Sequence, residues 1–204
     1  MNLQQVAENL KARGFQTYIF STGAEASDWL CKQLEGKTVG IGGSQSVRQL
    51  GLGTRLSENS TVYWHWLPEQ VQQYDSMDAV RDLAARAEAY LTSANALSAQ
   101  GQIINIDGAG NRIASTAYGH KQVYFLIGAN KISDTFEAAM HRARNVAAPL
   151  NARRLKRQTP CAVGELKCHD CNSPQRICNG FLTLERPMSG MEMFVLLVEE
   201  DLGA

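Results

Sequence analysis

A chain of 204 residues with 44% apolar and 20% charged residues has the make-up of one sizeable globular domain, not of a disordered segment. Lys and Arg together number 20, as do Asp and Glu, so no overall field argues for nucleic acid or an anionic membrane. The N-terminus, MNLQQVAENLKARGF, is polar and periodic and does not read as a signal peptide; no apolar run approaches the ~20 residues of a bilayer span. Five cysteines without an export signal then read as thiols or ligands of a cytoplasmic protein, not as structural disulfides.

Helix and strand alternate almost to the end, which predicts an α/β domain with a mostly parallel sheet flanked by helices. Leu3, Val6, Ala7 and Leu10 recur at helical spacing, and Gly14 can end that helix. Phe15–Phe20 (FQTYIF) reads as a strand. Thr22 and Glu25 form a capping-box signature for a helix running to about Leu34. A strand over Thr38–Gly42, a turn with a short helix, and a strand over Thr61–Trp66 follow. An amphipathic helix lies within 77–89, with Met77, Val80, Ala84 and Ala87 on one face, and leads into YLTS at Tyr90–Ser93. Gln102–Ile106 is a further strand, and Gln122–Gly128 is the clearest buried parallel one because it is apolar almost throughout. Asp134 and Glu137 are expected to cap a helix to about Ala147, with Pro149 marking its limit. The tail from Phe181 supplies one or two last strands. No repeat or low-complexity linker interrupts residues 1–204, so one domain is expected, with a cysteine-rich segment at 158–180 inside it.

Three constellations carry chemistry. In VGIGGSQSV, Gly40, Gly42 and Gly43 follow a strand and precede a helix, where glycines let the backbone approach an anion and Ser44 and Ser46 add hydroxyl donors. A tight turn without a ligand would show the same residues. The loop lacks the Gly-Lys-Ser/Thr ending of a Walker A motif, and it is not a clean GxGxxG. Between Thr92 and Arg112, the polar residues Asn95, Asn105, Asp107, Asn111 and Arg112 stand among strand-like apolar ones, with Gly108 and Gly110 allowing a turn. Such a set near a glycine loop can orient a small molecule. An Asx-rich turn accounts for Asp107–Gly108 but poorly for Asn95. Finally, Cys161, Cys168, Cys171 and Cys178 give C-x6-C-x2-C-x6-C, a ligand set that fits an iron–sulfur cluster, tetrahedral zinc, or free or redox thiols. His169, between them, reads as facing solvent or standing behind the ligands, and Cys31 as a buried inert thiol.

Arg142 to Arg157 holds six basic residues and no acidic one, a stripe that could meet an anion or simply face water. Without an aromatic-interleaved patch, nucleic acid is not expected as a partner. His65, His120 and His141 have no ligand spacing and receive no chemistry, and Ser44 has no GxSxG context.

With VGIGGS, LTSANALS, NIDGAGNR, IGANKI, RNVAAPLNARRL, TPC, CHDCNSP and RIC present in this order, the chain resembles the lactate-utilisation (LUD) domain family from about Leu3 to Gly203. The resemblance implies a fold akin to the sugar-isomerase and CoA-transferase-like α/β group, in whose members the loop matching Gly42–Ser46 binds phosphate or a similar anion. Relatives in that group often carry an acid in a Gly-Ala-Asp step; here the step is Ser93-Ala94-Asn95, and an amide cannot act as a general acid or base. The catalytic candidates are therefore Asp107, with Asn95 and Asn111. Gly42, Gly43, Ser44, Ser46, Gly108, Gly110, Arg112 and Lys131 would bind a small anionic metabolite. The family is linked to oxidation of L-lactate beside iron–sulfur proteins, which implies organic-acid utilisation, an iron–sulfur cluster before zinc at the four cysteines, and an iron–sulfur protein as partner. The rival expectations are an isomerase or transferase on a phosphorylated metabolite with structural zinc, or a non-catalytic subunit. Oligomerisation is compatible with all three.

Overall fold

The computed structural model describes residues 2–204. In chain order the elements are α1 (Leu3–Ala12), β1 (Gln16–Phe20), α2 (Gly23–Leu34), β2 (Thr38–Ile41), α3 (Gln45–Gln49), α4 (Leu52–Ser57) and β3 (Thr61–Tyr63). Next come α5 (Pro68–Gln73), α6 (Met77–Ala85), β4 (Ala89–Thr92), β5 (Ala96–Ser98), β6 (Ile103–Asp107), α7 (Asn111–Ala117) and β7 (Gln122–Gly128). The chain closes with β8 (Ile132–Ser133), α8 (Phe136–Arg142), α9 (Ala148–Arg154), α10 (Pro160–Val163), β9 (Gly180–Leu184) and β10 (Glu192–Val198). Among the described residues no helix is long and apolar enough to cross a membrane.

Six strands form one sheet in the order β1-β10-β7-β4-β2-β3, every neighbouring pair parallel. Strands β10 and β7 are neighbouring interior strands of it and bury six successive residues each, which is why both read as unbroken apolar runs. Two cores sandwich the sheet. One gathers Leu30, Leu34, Val39, Ile41 and Tyr124 beneath α2 and α4, and the other gathers Val6, Leu10, Val123, Phe125 and Ile127 beneath α1.

The strand at Gln102–Ile106 does not join this sheet. It is β6 of a second sheet, β8-β5-β6-β9, where it runs antiparallel to β5 and β9. The connection decides this. Only four residues separate β5 from β6, Gly101 turns there at φ 94° with its N–H on the Ser98 carbonyl, and a parallel pairing needs a crossover of a dozen residues or more. Strand β5 itself, three residues long, is hidden in the sequence between Asn95 and the turn at 99–102.

Capping chemistry explains most helix starts. Thr22 accepts from Glu25 N, while the Glu25 carboxylate reaches back to Ser21 N, one residue before the expected position. At α8 the cap is Thr135, whose hydroxyl accepts from Ala138 N, and not Asp134; both residue types can cap, and Thr135 stands three residues before that free N–H. Pro149 does not end the helix. Ala143–Ala147 forms one π turn, closed by Ala148 N–H on the Ala143 carbonyl, and α9 continues beyond it with Pro149 in its first turn, where a missing N–H costs little. The strand at Thr61 is shorter than expected, ending at Tyr63, and Met77 is half exposed, so α6 buries Val80 and Ala84 instead.

Candidate functional site

The residues that follow the parallel strands converge on one side of the sheet. Gly43 and Ser44 follow β2, His65 and Trp66 follow β3, Ser93 to Asn95 follow β4, and Lys131 sits in the 3-10 turn after β7. Facing them are the β6–α7 turn, the end of α9 and Gln175–Ile177 from the cysteine-rich segment. Together they enclose a cleft of about 650 Å³ at the C-terminal ends of the strands, where open α/β sheets hold ligands.

Its electrostatics depart from those of the whole chain. Arg81, Arg112, Arg154, Arg157, Arg176 and Lys131 line it against a single acidic side chain, Asp107. A neutral protein thus concentrates positive potential in one concave wall. Arg112 is the most constrained of these side chains. Its Nη2 donates to Asn95 Oδ1 at 2.9 Å and to the Ile106 carbonyl at 2.7 Å, and its Nε stands 3.9 Å from Asp107 Oδ2. Burial lowers its pKa against the opposing pull of Asp107. Asn95 Oδ1 also accepts from Ile106 N at 2.8 Å, so this amide clamps β6 to the strand-four loop. Asp107 Oδ2 accepts from the backbone N–H groups of Arg112 and Ile113 and thereby caps α7, which Gly110 precedes in the left-handed region, φ 87°.

Of the residues expected to form the site, Gly43, Ser44, Asn95, Asp107, Gly108, Asn111, Arg112 and Lys131 meet in the cleft, whereas Gly42, Ser46 and Gly110 lie outside its lining. The glycines answer to packing as much as to ligand approach. A Cβ on Gly40 would stand 2.2 Å from the Ala84 carbonyl oxygen, and one on Gly42 would stand 2.9 Å from the Tyr90 hydroxyl. Ser44 spends its hydroxyl on Val47 N as the cap of α3. Ser46 is fully buried and bonds Lys131 instead.

Several lining residues carried no usable signal in the sequence. His65 is buried with Nδ1 unpartnered, and burial, aided by Arg81, pushes its pKa down to about 4, leaving a neutral ring against the cleft. Trp66 stacks on buried Trp64, and the Arg154 guanidinium lies 4.9 Å over its ring, giving the cleft a flat aromatic floor with a fixed cation above it. A Trp-His-Trp run and a basic stripe are separate features in the sequence, and only the fold joins them.

Behind this cleft, Cys161, Cys168, Cys171 and Cys178 line a second, smaller cavity with apolar walls from Ile106, Ala148, Pro149 and Phe181. All four are free and half-buried. Cys178 is pushed up by burial, opposed by Arg176 and reinforced by the other three cysteines, which places the four thiols in one electrostatic group. Among the described residues no three His, Cys, Asp or Glu side chains close on a single ion; the sulfurs ring a cavity. Arg176 braces the ring, donating from Nη1 to the Cys171 carbonyl at 2.6 Å and from Nε to the Cys178 carbonyl at 3.0 Å. Asn145 Oδ1 accepts from Cys168 N at 3.1 Å. His169 is exposed and contacts the Glu165 carbonyl. Arg176 and Ile106 line both cavities, so the thiols and the cleft are separated by one layer of side chains.

The fold has a solved counterpart. A DUF162 family protein from Deinococcus radiodurans is similar at a TM-score of 0.54 and 14% identity, over 96% of this chain and 95% of that one. Among curated proteins no match was found. The sequence profile of the LUD domain matches residues 3–198, nearly the whole length described above, and the chain belongs to the LUD domain family.

Proposed function

We propose that the protein binds a small carboxylate metabolite in the cationic cleft and serves the utilisation of lactate or a related organic acid, with a metal centre held by the four cysteines. The observation that carries this reading is the shared wall. Arg176 and Ile106 face the cleft on one side and the thiol cavity on the other, so a redox centre there would lie within one side chain of a bound substrate.

The donor set fits a cluster better than a lone ion. Four soft thiols ring an apolar cavity, they do not close on one point, and Arg144 and Arg176 stand beside them to offset thiolate charge. An iron–sulfur cluster bound there supplies one-electron transfer. The chain's own residues do the rest. Arg112 and Arg154 attract and orient the carboxylate, Asn95 and Asn111 fix its register, and Lys131 stands at the inner wall. The Asp107 oxygen not engaged in capping α7 serves as the proton acceptor for a substrate hydroxyl. An iron–sulfur protein would receive the electrons, and the half-buried cysteine segment is the face it would approach.

The test is iron, zinc and acid-labile sulfide analysis with a visible spectrum on protein purified without oxygen, followed by titration with L-lactate, pyruvate and oxalate. Iron with sulfide, brown protein and stabilisation by these acids are the expected results. Colourless, metal-free protein that none of them stabilises would sink the reading. A cleft of about 650 Å³ is roomy for lactate alone, which favours as second reading an isomerase or transferase on a phosphorylated metabolite. Zinc without colour, together with stabilisation by sugar phosphates only, would select it.

A further inference from the structure

Lys131 has a hydrogen-bond geometry that a mere counter-ion does not require. Its Nζ lies 3.0 Å from Ser46 Oγ, 3.1 Å from Ser93 Oγ and 3.2 Å from the Ala94 carbonyl oxygen. Ser46, Ser93, Ala94 and Lys131 are all buried, and Ser93, Ala94 and Lys131 border the cleft. Gly203 covers the other side, so close that a Cβ there would stand 2.8 Å from Ser46 Oγ and 3.3 Å from Nζ.

Counting hydrogens assigns the contacts. The Ala94 carbonyl can only accept, so one amine N–H points to it. Ser46 has one hydroxyl hydrogen and two acceptors in reach, the Leu202 carbonyl at 3.1 Å and Ser93 Oγ at 3.3 Å; the nearer carbonyl, which can only accept, takes it, and Ser46 Oγ then accepts a second N–H from Lys131. The third direction on Nζ faces Ser93 Oγ. An ammonium would donate there too, whereas a neutral amine presents its lone pair and accepts the Ser93 proton. Burial and two cations, Arg142 from α8 and Arg112 from α7, favour the neutral amine and bring its pKa down to about 7; Asp201 acts on Arg142 in turn. A nucleophile in reach of a base, with the base held by further groups, is the arrangement that activates a serine.

We propose that Ser93 and Lys131 form a serine–lysine nucleophilic pair, and that the cleft performs acyl transfer on an ester or thioester whose other end is anionic. Lys131 Nζ takes the Ser93 proton as Ser93 Oγ bonds to the acyl carbon and the carbonyl electron pair moves onto its oxygen. That pair returns as the bond to the leaving oxygen or sulfur breaks, and the leaving group collects the proton from Lys131. Water then attacks the Ser93 ester with Lys131 as base, which releases the acid and restores the hydroxyl. The cationic lining, Arg112 and Arg154 foremost, holds the distal anion and offsets the charge that develops on the acyl oxygen. This activity needs no metal centre; it shares the cationic lining with the carboxylate site proposed above, so an organic acid bound there would compete with the acyl substrate.

The experiment uses 4-nitrophenyl hemisuccinate, an ester with a free carboxylate, on the full chain. A stoichiometric burst of nitrophenol is expected, with a succinyl group on the Ser93 peptide by mass spectrometry and an acylation rate that rises with pH through about 7. Ser93→Ala should abolish the burst. Lys131→Arg, which keeps the cation but not the base, should slow acylation by at least about 100-fold. An adduct elsewhere, no adduct on wild-type protein, or wild-type rates in a folded Lys131→Arg variant would each overturn the proposal. Should Lys131→Arg not melt cooperatively, a fluorophosphonate on the wild type decides: labelling at Ser93 upholds the pair, and labelling absent or elsewhere overturns it.

Discussion

The cleft and the thiol cavity lie on opposite faces of one wall, yet they are built by opposite means. The cleft wall is held by buried side chains, with Arg112 on Asn95 and the Ile106 carbonyl, Asp107 on the first turn of α7, and Lys131 on two serines. Its backbone comes from strand ends and short turns. The cysteine segment has no regular element between Gly164 and Asn179, and its ties run through half-exposed groups, Arg144 and Arg176 to Asp170, Arg176 to two carbonyls, and Asn145 to Cys168. A preorganised polar wall keeps its shape without a ligand, whereas a loop ringed by thiols takes rigidity from what the thiols bind. The cleft should therefore behave as a finished site and the segment as a conditional one.

The sharpest way to break that contrast is Arg112→Met. It leaves Asp107 without its buried counter-charge and the Ile106 carbonyl without its side-chain donor, and it should cost about 3–5 kcal/mol in urea denaturation and abolish the proposed organic-acid binding. A loss under about 1 kcal/mol would mean the wall is not preorganised. The next largest effect concerns Lys131, whose folded-state pKa, about 7, lies below its ordinary value. The unfolded chain binds more protons above that point, so stability rises with pH. Between pH 7 and 9 the wild type should gain about 2 kcal/mol that Lys131→Met does not show, and equal slopes would contradict the buried amine. Arg176→Ala tests the shared wall: retention of the metal proposed for the four cysteines should fall by about 10-fold to 100-fold, with weaker binding of the proposed anion in the same variant. An effect on one property alone would uncouple the two cavities. The smallest contrast is local. Thr135→Ala should cost about 1 kcal/mol in thermal or urea melts while Asp134→Ala costs a few tenths, because only Thr135 caps α8.

What could be read from the sequence follows the range over which each signal acts. Strand β7 was legible because both its faces are buried, so burial in three dimensions is written as one apolar run. The polar set from Asn95 to Arg112 was legible because both sides of the Arg112–Asn95 contact lie within eighteen residues and share one hairpin and turn. His65, Trp66 and Ser93 were not, since their roles depend on which strands become neighbours, and strand order in a sheet leaves no local trace. The antiparallel second sheet was obscured for a related reason. Residues 102–106 are buried throughout like a parallel strand, with three isoleucines in five positions, and only the short link to β5 distinguishes them. The cysteine spacing announced a common destination, but it could not tell how far the thiols would lie from the cleft.

The π turn at Ala143–Ala147 works as a phase adjustment in a single rod. Before it, Arg142 donates to the Asn130 and Asn95 carbonyls; within it, Arg144 and Asn145 reach the cysteine segment; after it, Arg154 lies over Trp66. An uninterrupted α-helix advances about 100° per residue, so one residue removed from this turn would swing everything downstream by about that angle. Arg154 would leave its ring while Arg142 stayed in place. The wide turn thus sets the timing between two cavities along one helix, and a length change of one residue there would throw them out of step without touching a cysteine.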